Sequence, residues 1–268
     1  MQLKILISCI FFFLSSMAFA LPIIVLDSGH EPSLPGAWGT CHKNELIYND
    51  ELVQEISQTL SKSYKIILTR NYGQDVELND LDLTHNLPSI DNSLLNKHKS
   101  LYARAAIANL NHAQIFISIH HDSTSLKQQI KDPMLCGHKG GVNLKSDFKN
   151  KYKIGYNIFI NNSDSTQRKL KSLQLAEDIG KQMLAMNRIP SSYHVFPVDK
   201  CKSCYPINKN LGVWHDNLAV LKYTTMPAVL IEVGNIVDPE DEKIINSNNF
   251  RVKFSKALNE ALNEYFVE

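Results

Sequence analysis

The sequence predicts a single α/β domain, built on a twisted, mainly parallel sheet with helices on both faces. Short apolar runs rich in β-branched residues alternate with longer segments of helical period. Strands that alternate with helices form right-handed βαβ units, which place a parallel sheet between two layers of helices. The chain of 268 residues is long enough for one such domain with a full core. Ligands of these sheets usually bind at the carboxyl ends of the strands.

Six strands and five helices are predicted in order along the chain. The strands are expected at 22–27, 65–70, 114–120, 156–160, 218–222 and 228–233. The helices are expected at 44–62, at 101–111 with Ser100 as the cap, at 168–186, from Pro239 onward and at 250–266. Polar segments near 71–99, 123–154 and 190–210 are predicted to be insertions.

Residues 1–20 predict a secretory signal peptide, and residues 21–268 are expected to form the catalytic domain. A single Lys precedes an apolar run that ends in Ala18-Phe19-Ala20, which is typical of a cleavage site. A retained anchor is the less favoured alternative, because the run is short for a membrane span. Cleavage after Ala20 predicts a periplasmic or secreted protein with no stable membrane anchor.

The charge balance argues against a polyanionic partner. The chain has 28 Lys and Arg residues, one of them in the predicted leader, against 27 Asp and Glu residues. The processed chain would therefore have no net formal charge. Without a strong positive field, binding to nucleic acid is not expected.

Four cysteines remain after the predicted cleavage: Cys41, Cys136, Cys201 and Cys204. An even number of cysteines in an exported chain favours disulfides. The preferred pairing is Cys201–Cys204 with Cys41–Cys136. A second zinc site with nearby histidines and four reduced thiols are the alternatives.

Three side chains predict a catalytic metal site. His30 follows the run IIVLDSG, His120 ends IFISIH, and Glu45 begins a helical segment. Two imidazoles and one carboxylate form a ligand set of catalytic zinc, which keeps a fourth position open for water. Glu232 lies in a third apolar run, PAVLIEV, where a general base could act on that water. A carboxylate is costly to bury without a function, which favours this role. A buried ion-pair partner is the alternative role for Glu232.

Four sequence blocks resemble the third family of zinc-dependent N-acetylmuramoyl-L-alanine amidases, which are cell-wall hydrolases. They are IIVLDSGHEPSLPGAWGTCHKNE, ILTR, LYARAAIANLNHAQIFISIHHDS and LAVLKYTTMPAVLIEVGNIVDPEDE, and the resemblance extends over about 23–266. By position, His30, Glu45 and His120 match the family's zinc ligands, and Glu232 matches its catalytic glutamate. The resemblance thus implies one Zn²⁺ bound by the same residues that the strand ends suggest.

Three residues depart from the family pattern around the expected cleft. Glu31 replaces a glycine, His121 replaces a small residue and Asn235 replaces an apolar residue. These changes leave the ligands and the base intact but alter the rim, so they bear on substrate preference.

Other polar residues have weaker assignments. His121 and Asp122 could orient the adjacent ligand or face solvent as rim residues. Asp27 could hydrogen-bond the turn that presents His30, and Arg70 and Arg104 are expected to hold loops. Four more histidines are expected to be structural or superficial: His42, His138, His194 and His215.

The resemblance implies hydrolysis of the amide bond between N-acetylmuramic acid and L-alanine in peptidoglycan. A zinc peptidase acting on stem peptides is the nearest alternative, because the same groups could cut either amide. A catalytically inactive wall-binding module is the alternative from another class. The expected partner is peptidoglycan, with an activator protein of the cell-division machinery as a candidate. Some family members have a helix that plugs the zinc site, but the glycines and aperiodic pattern of 123–154 argue against one here.

Overall fold

The computed structural model describes residues 20–39, 43–77, 87, 98–123, 155–163, 166–191 and 204–267. Within these ranges seven strands form one mixed sheet. They are β1 (Ile23–Ser28), β2 (Lys65–Leu68), β3 (Ile115–Asp122), β4 (Asn157–Ile160), β5 (Tyr205–Asn208), β6 (Val213–His215) and β7 (Ala228–Asn235). Their order across the sheet is β2-β1-β3-β7-β4-β6-β5.

Helices cover both faces of the sheet. They are α1 (Glu45–Leu60), α2 (Lys99–Leu110), α3 (Thr166–Ala185), α4 (Ala219–Lys222), α5 (Pro239–Ile245) and α6 (Asn248–Val267), with a 3₁₀ turn at Lys209–Leu211. On one face α1, α3 and α6 pack over a cluster that includes Ile117, Ile231 and Ile158. On the other face α2 and α4 contribute to a cluster with Phe116 and Leu230. The predicted α/β class, with a mainly parallel sheet between two helical layers, is confirmed.

The direction of the strands determines which residues meet at the edge of the sheet. β2, β1, β3 and β7 are mutually parallel, so their carboxyl ends lie together. β4 runs antiparallel to β7, and its first residue, Asn157, therefore lies at the same edge. The register places His120 beside Glu232 and Glu232 beside Asn157 in one row across three strands.

Two predictions about local structure are wrong. Residues 218–222 were predicted to form a strand, but they contain the short helix α4, with Leu218 as its N-cap and Val220 and Leu221 buried. A run of four apolar residues does not distinguish a strand from a buried helical turn by its period. Ser100 does not cap α2, which begins at Lys99; its hydroxyl instead donates to Glu31 Oε2 at 2.5 Å.

Several predictions concern residues outside the described ranges. Residues 1–19, most of the first two predicted insertions, and Cys41, Cys136 and Cys201 are among them. Strand β5 lies inside the segment predicted as the third insertion. The signal peptide and the cysteine pairing therefore stay predictions. Within the described ranges, no helix combines the length and apolarity that crossing a bilayer requires.

Candidate active site

The three predicted metal ligands meet at the carboxyl edge of the sheet. His30 follows β1, Glu45 is the first residue of α1, and His120 lies near the end of β3. Glu45 Oε2 is 2.9 Å from His30 Nε2, and Glu45 Oε1 is 3.0 Å from His120 Nδ1. The two imidazole rings meet edge to face, with centroids 5.1 Å apart. One potential ligand atom from each residue lies within 4.8 Å of the others.

Two buried arginines hold the turn that presents His30. Its backbone adopts a left-handed conformation, with φ of 63°, which is unfavourable for a residue with a side chain. Arg104 donates to the carbonyls of Ser28 and His30, both at 2.6 Å. Arg70 donates to the same two carbonyls and to that of Gly29, and it pairs with Asp50 at 2.6 Å. The expectation that both arginines hold loops is confirmed.

Asp27 fixes Arg104 in turn. Its carboxylate accepts hydrogen bonds from Arg104, Thr69 and Ser118, each at 2.6 Å. Burial alone would raise the pKa of Asp27, but the Arg104 charge and the two hydroxyls hold that pKa below its usual range. Asp27 therefore remains ionised and supports the turn through Arg104, whereas the sequence suggested a direct hydrogen bond to the turn.

Residues 31–39, which follow His30, pack closely against the cluster. The carbonyl of Leu34 lies 3.0 Å from His30 Nδ1, and the carbonyl of Ala37 accepts from the Glu45 amide at 2.8 Å. Gly36 has a φ of +77°, and a Cβ there would lie 2.7 Å from Glu45 Oε2. Glycine is required here both for the backbone conformation and for the close approach.

The cluster has the donor chemistry of a zinc site. Burial alone would raise the pKa of Glu45, but the hydrogen bonds from His120 and His30 hold that pKa well below its usual range. The Leu34 carbonyl lies 3.0 Å from His30 Nδ1 and can accept its proton, so a metal that displaces the proton between His30 Nε2 and Glu45 would find Nε2 available as a ligand atom. An ionised carboxylate and two imidazoles directed at one point are the set that zinc selects, so these residues fit the metal.

Glu232 lies one strand away from His120 on the same face of the sheet. The two residues are direct register partners in β3 and β7. Burial raises the pKa of Glu232 well above its ordinary value, and the nearby Asp122 and Glu45 carboxylates raise it further. Glu232 Oε2 is buried and accepts no hydrogen bond from any described residue. A carboxyl group with a raised pKa next to a metal site can accept and return a proton.

The two residues after His120 differ in environment. His121 is buried on the opposite face of β3, where its Nδ1 lies 2.7 Å from Asn49 Oδ1 and its amide donates to Glu45 Oε1 at 3.2 Å. Its burial lowers the pKa of His121 to about 3, so the ring is neutral. Burial raises the pKa of Asp122 to about 7, with Glu45 and Asp241 adding to the effect.

The remaining sequence candidates lie at varied distances from the cluster. Glu31 accepts from Ser100 and lies 3.9 Å from Arg104, so it belongs to the support of the His30 turn. Asn235 is buried, and its backbone N–H donates to Asp241 Oδ2 at 2.8 Å. His215, at the end of β6 and away from the cluster, accepts from the backbone N–H of Asn162 through Nδ1, which agrees with a structural role. His42, His138 and His194 lie outside the described residues.

Asn157 is a site residue that the sequence did not reveal. It is fully buried at the start of β4, and it is the register partner of Glu232. No local signal could have identified it, because its position depends on the antiparallel pairing of two strands that lie far apart in the sequence.

The fold and the His–Glu–His cluster define an α/β protein with a candidate metal centre at the carboxyl edge of its sheet. Comparison with known proteins agrees and is more specific. Residues 24–264 match the Amidase_3 family, described as N-acetylmuramoyl-L-alanine amidase. The chain belongs to this family and is an amidase.

Individual relatives are distant but cover most of the chain. The N-acetylmuramoyl-L-alanine amidase AmiA of Escherichia coli is 24% identical over 247 residues, which is 91% of this chain and 76% of AmiA. The amidase Ami1 of Mycobacterium abscessus, solved in its apo form, has a TM-score of 0.62 at 18% identity, covering 92% of this chain and 100% of Ami1. The CwlD amidase of Clostridioides difficile, solved in complex with the GerS lipoprotein, has a TM-score of 0.61 at 17% identity, covering 92% and 98%. At these identities the two structures establish the shared fold.

Proposed function

We propose that this protein is a zinc-dependent amidase that cuts the bond between N-acetylmuramic acid and L-alanine in peptidoglycan. The observation that supports it most directly is the arrangement of His30, Glu45 and His120 around one point, with Glu232 in the adjacent strand. Membership of the family supports this reaction, and the position of these four residues supports their roles in it.

His30, Glu45 and His120 would hold one Zn²⁺. When bound, zinc polarises the scissile carbonyl and lowers the pKa of water towards neutrality. Backbone groups already hold two of the three side chains, because His30 Nδ1 contacts the Leu34 carbonyl and Glu45 Oε1 accepts from the backbone amide of His121. The absence of a fourth protein ligand in this cluster, within the described residues, is consistent with a catalytic role.

Glu232 is the proposed general base. Its carboxylate takes a proton from the attacking water, and the resulting carboxylic acid returns that proton to the leaving amine of L-alanine. The burial that raises the pKa of Glu232 favours the protonated form that must exist between the two transfers. The products are a lactyl carboxylate on the sugar and a peptide with a free L-alanine amino terminus.

We also propose that the enzyme acts in the periplasm or outside the cell after cleavage at Ala20. Peptidoglycan, the substrate of the family's reaction, lies in that compartment. Amino-terminal sequencing of the exported protein should find Leu21 first, and an intact Met1 on envelope-derived protein would contradict this. An activator of the division machinery remains a proposed partner.

Digestion of purified peptidoglycan with and without a chelator tests the function. Mass analysis should find stem peptides that begin with L-alanine, together with glycan strands that lack peptides. A peptidase would instead release fragments cut within the stem while L-alanine stays on the sugar. An inactive binding module would release nothing. Release that persists at full rate after complete zinc removal would refute the metal-dependent mechanism.

A further inference from the structure

Asn157 presents a buried side-chain amide that makes no hydrogen bond with any described residue. Its side chain is completely shielded from solvent, and neither Oδ1 nor Nδ2 has a partner among the described residues. A buried polar group without a partner is unfavourable, and such groups in folded proteins are rare. Leucine has nearly the same shape and would avoid this cost. The stability of the fold therefore gives no reason for asparagine at this position.

The amide lies beside the proposed base. Asn157 and Glu232 are direct partners in the antiparallel pairing of β4 and β7. Directly opposed residues in such pairs have Cβ atoms about 4.5–5.5 Å apart and point to the same face of the sheet. Neighbouring residues agree, because Phe159 and Leu230 share one apolar cluster while Ile158 and Ile231 share the other.

Glu232 has a matching unsatisfied atom. Its Oε2 is buried and accepts no hydrogen bond from the described residues. Two buried polar groups without partners thus occupy adjacent positions on one face of the sheet, next to His120. This coincidence points to an interaction that is made during catalysis.

We propose that Asn157 is a positioning residue, whose amide holds the Glu232 carboxyl group in place while it accepts and returns the proton. This inference rests on the proposed role of Glu232. A carboxylate only accepts hydrogen bonds, whereas a carboxylic acid also donates one. The asparagine amide has both a donor, Nδ2, and an acceptor, Oδ1. Rotation of this amide lets one side chain bind Glu232 in both protonation states, which an apolar or purely acidic residue cannot do.

The variant Asn157→Leu separates this role from a structural one. We expect kcat on a soluble muropeptide to fall by about 10–150-fold, the effect of losing a hydrogen bond to a charged group. KM and zinc content should stay unchanged. The free energy of unfolding should stay the same or rise, because the substitution removes an unpaired buried amide. Wild-type kcat, or a clear loss of stability or zinc, would overturn the proposal.

Asn161→Leu is the matched control, since Asn161 is also buried but lies beyond the other end of β4. Its Oδ1 accepts from the Ser163 amide at 2.9 Å, so its replacement should lower stability and leave kcat unchanged. Equal losses of kcat in both variants would attribute the Asn157 effect to disturbance of β4.

A double-mutant cycle with Glu232→Gln completes the test. If Asn157 acts through Glu232, Asn157→Leu should not lower the residual rate of Glu232→Gln any further. A further loss equal to that in the wild-type background would overturn the proposal. Full activity of Glu232→Gln alone would instead refute the proposed base, so the two failures are distinguishable.

Discussion

Replacing Arg104 should destabilise the fold and the metal site together. Arg104 is 1% exposed and pairs with Asp27, which is equally buried, at 2.6 Å. In Arg104→Met the long side chain still fills the space, but the Asp27 carboxylate loses the charge that compensates it. Removal of one partner from a buried ion pair costs about 3–5 kcal/mol. We expect a loss of this size in the free energy of unfolding, measured with urea.

The coupling between the Arg104 and Asp27 charges can be measured by combining Arg104→Met with Asp27→Asn in a double variant. If the two charges are coupled, the double variant should lose less than the sum of the single losses, by about 0.5–3 kcal/mol. Arg251→Met is a control at a partly exposed pair, where Arg251 lies 3.1 Å from Glu51, and it should cost less than about 1 kcal/mol.

The same variant tests the link from stability to the site. Arg104 binds the carbonyls of Ser28 and His30, so its loss should loosen the left-handed turn that presents His30. Zinc affinity should fall by about 10–100-fold, which is typical when the support of a ligand is removed. Additive unfolding losses together with unchanged zinc affinity would refute the reasoning.

Three further predictions concern the cluster and its neighbours. His120→Ala should lose most of its zinc in elemental analysis, since three ligands leave no substitute; full occupancy would misplace the site. Gly29→Ala should weaken zinc binding, because its Cβ would lie 2.3–2.5 Å from atoms of the His120 ring; unchanged affinity by competition titration would contradict this packing. His121 is neutral in the folded protein, and its pKa is about 3 when folded and about 6.5 when unfolded. Below pH 6.5 the unfolded chain therefore binds a proton that the folded chain does not, so the free energy of unfolding falls as the pH is lowered towards 3. His121→Gln should therefore flatten the pH dependence of the free energy of metal-free unfolding by about 1.4 kcal/mol per pH unit in that range, and an unchanged slope would contradict the burial of a neutral ring.

The sequence predicted that His30, Glu45 and His120 would meet, but it did not predict the order of the strands. His30 follows β1, and His120 and Glu232 lie in the carboxyl-terminal halves of β3 and β7. Parallel strands necessarily bring these positions to one edge of the sheet. The start of a helix can also be predicted from neighbouring residues. At α5, for example, the Asp238 side chain accepts from the backbone amides of Glu240 and Asp241.

Long-range pairing explains what could not be predicted. The reversal of β4 against β7 is not encoded by a local pattern, so the position of Asn157 beside Glu232 could not be foreseen. Strand β6 has only three residues, Val213–His215, which is too short to show a period. The turn at His30 is likewise held by two arginines that are distant in the sequence: Arg70, which follows β2, and Arg104, which lies in α2.

The most direct test of the central claim is zinc content and peptidoglycan hydrolysis measured on one sample of folded Glu232→Gln. Glutamine has nearly the same shape as glutamate, but its amide cannot take up the proton. We expect one zinc per chain and a rate reduced by about 10²–10⁴-fold, the usual contribution of a positioned acid–base group. Glu260→Gln, at an exposed position of α6, should keep both zinc and rate. Wild-type turnover in zinc-loaded Glu232→Gln would eliminate the proposed base, and loss of zinc would make Glu232 a ligand instead.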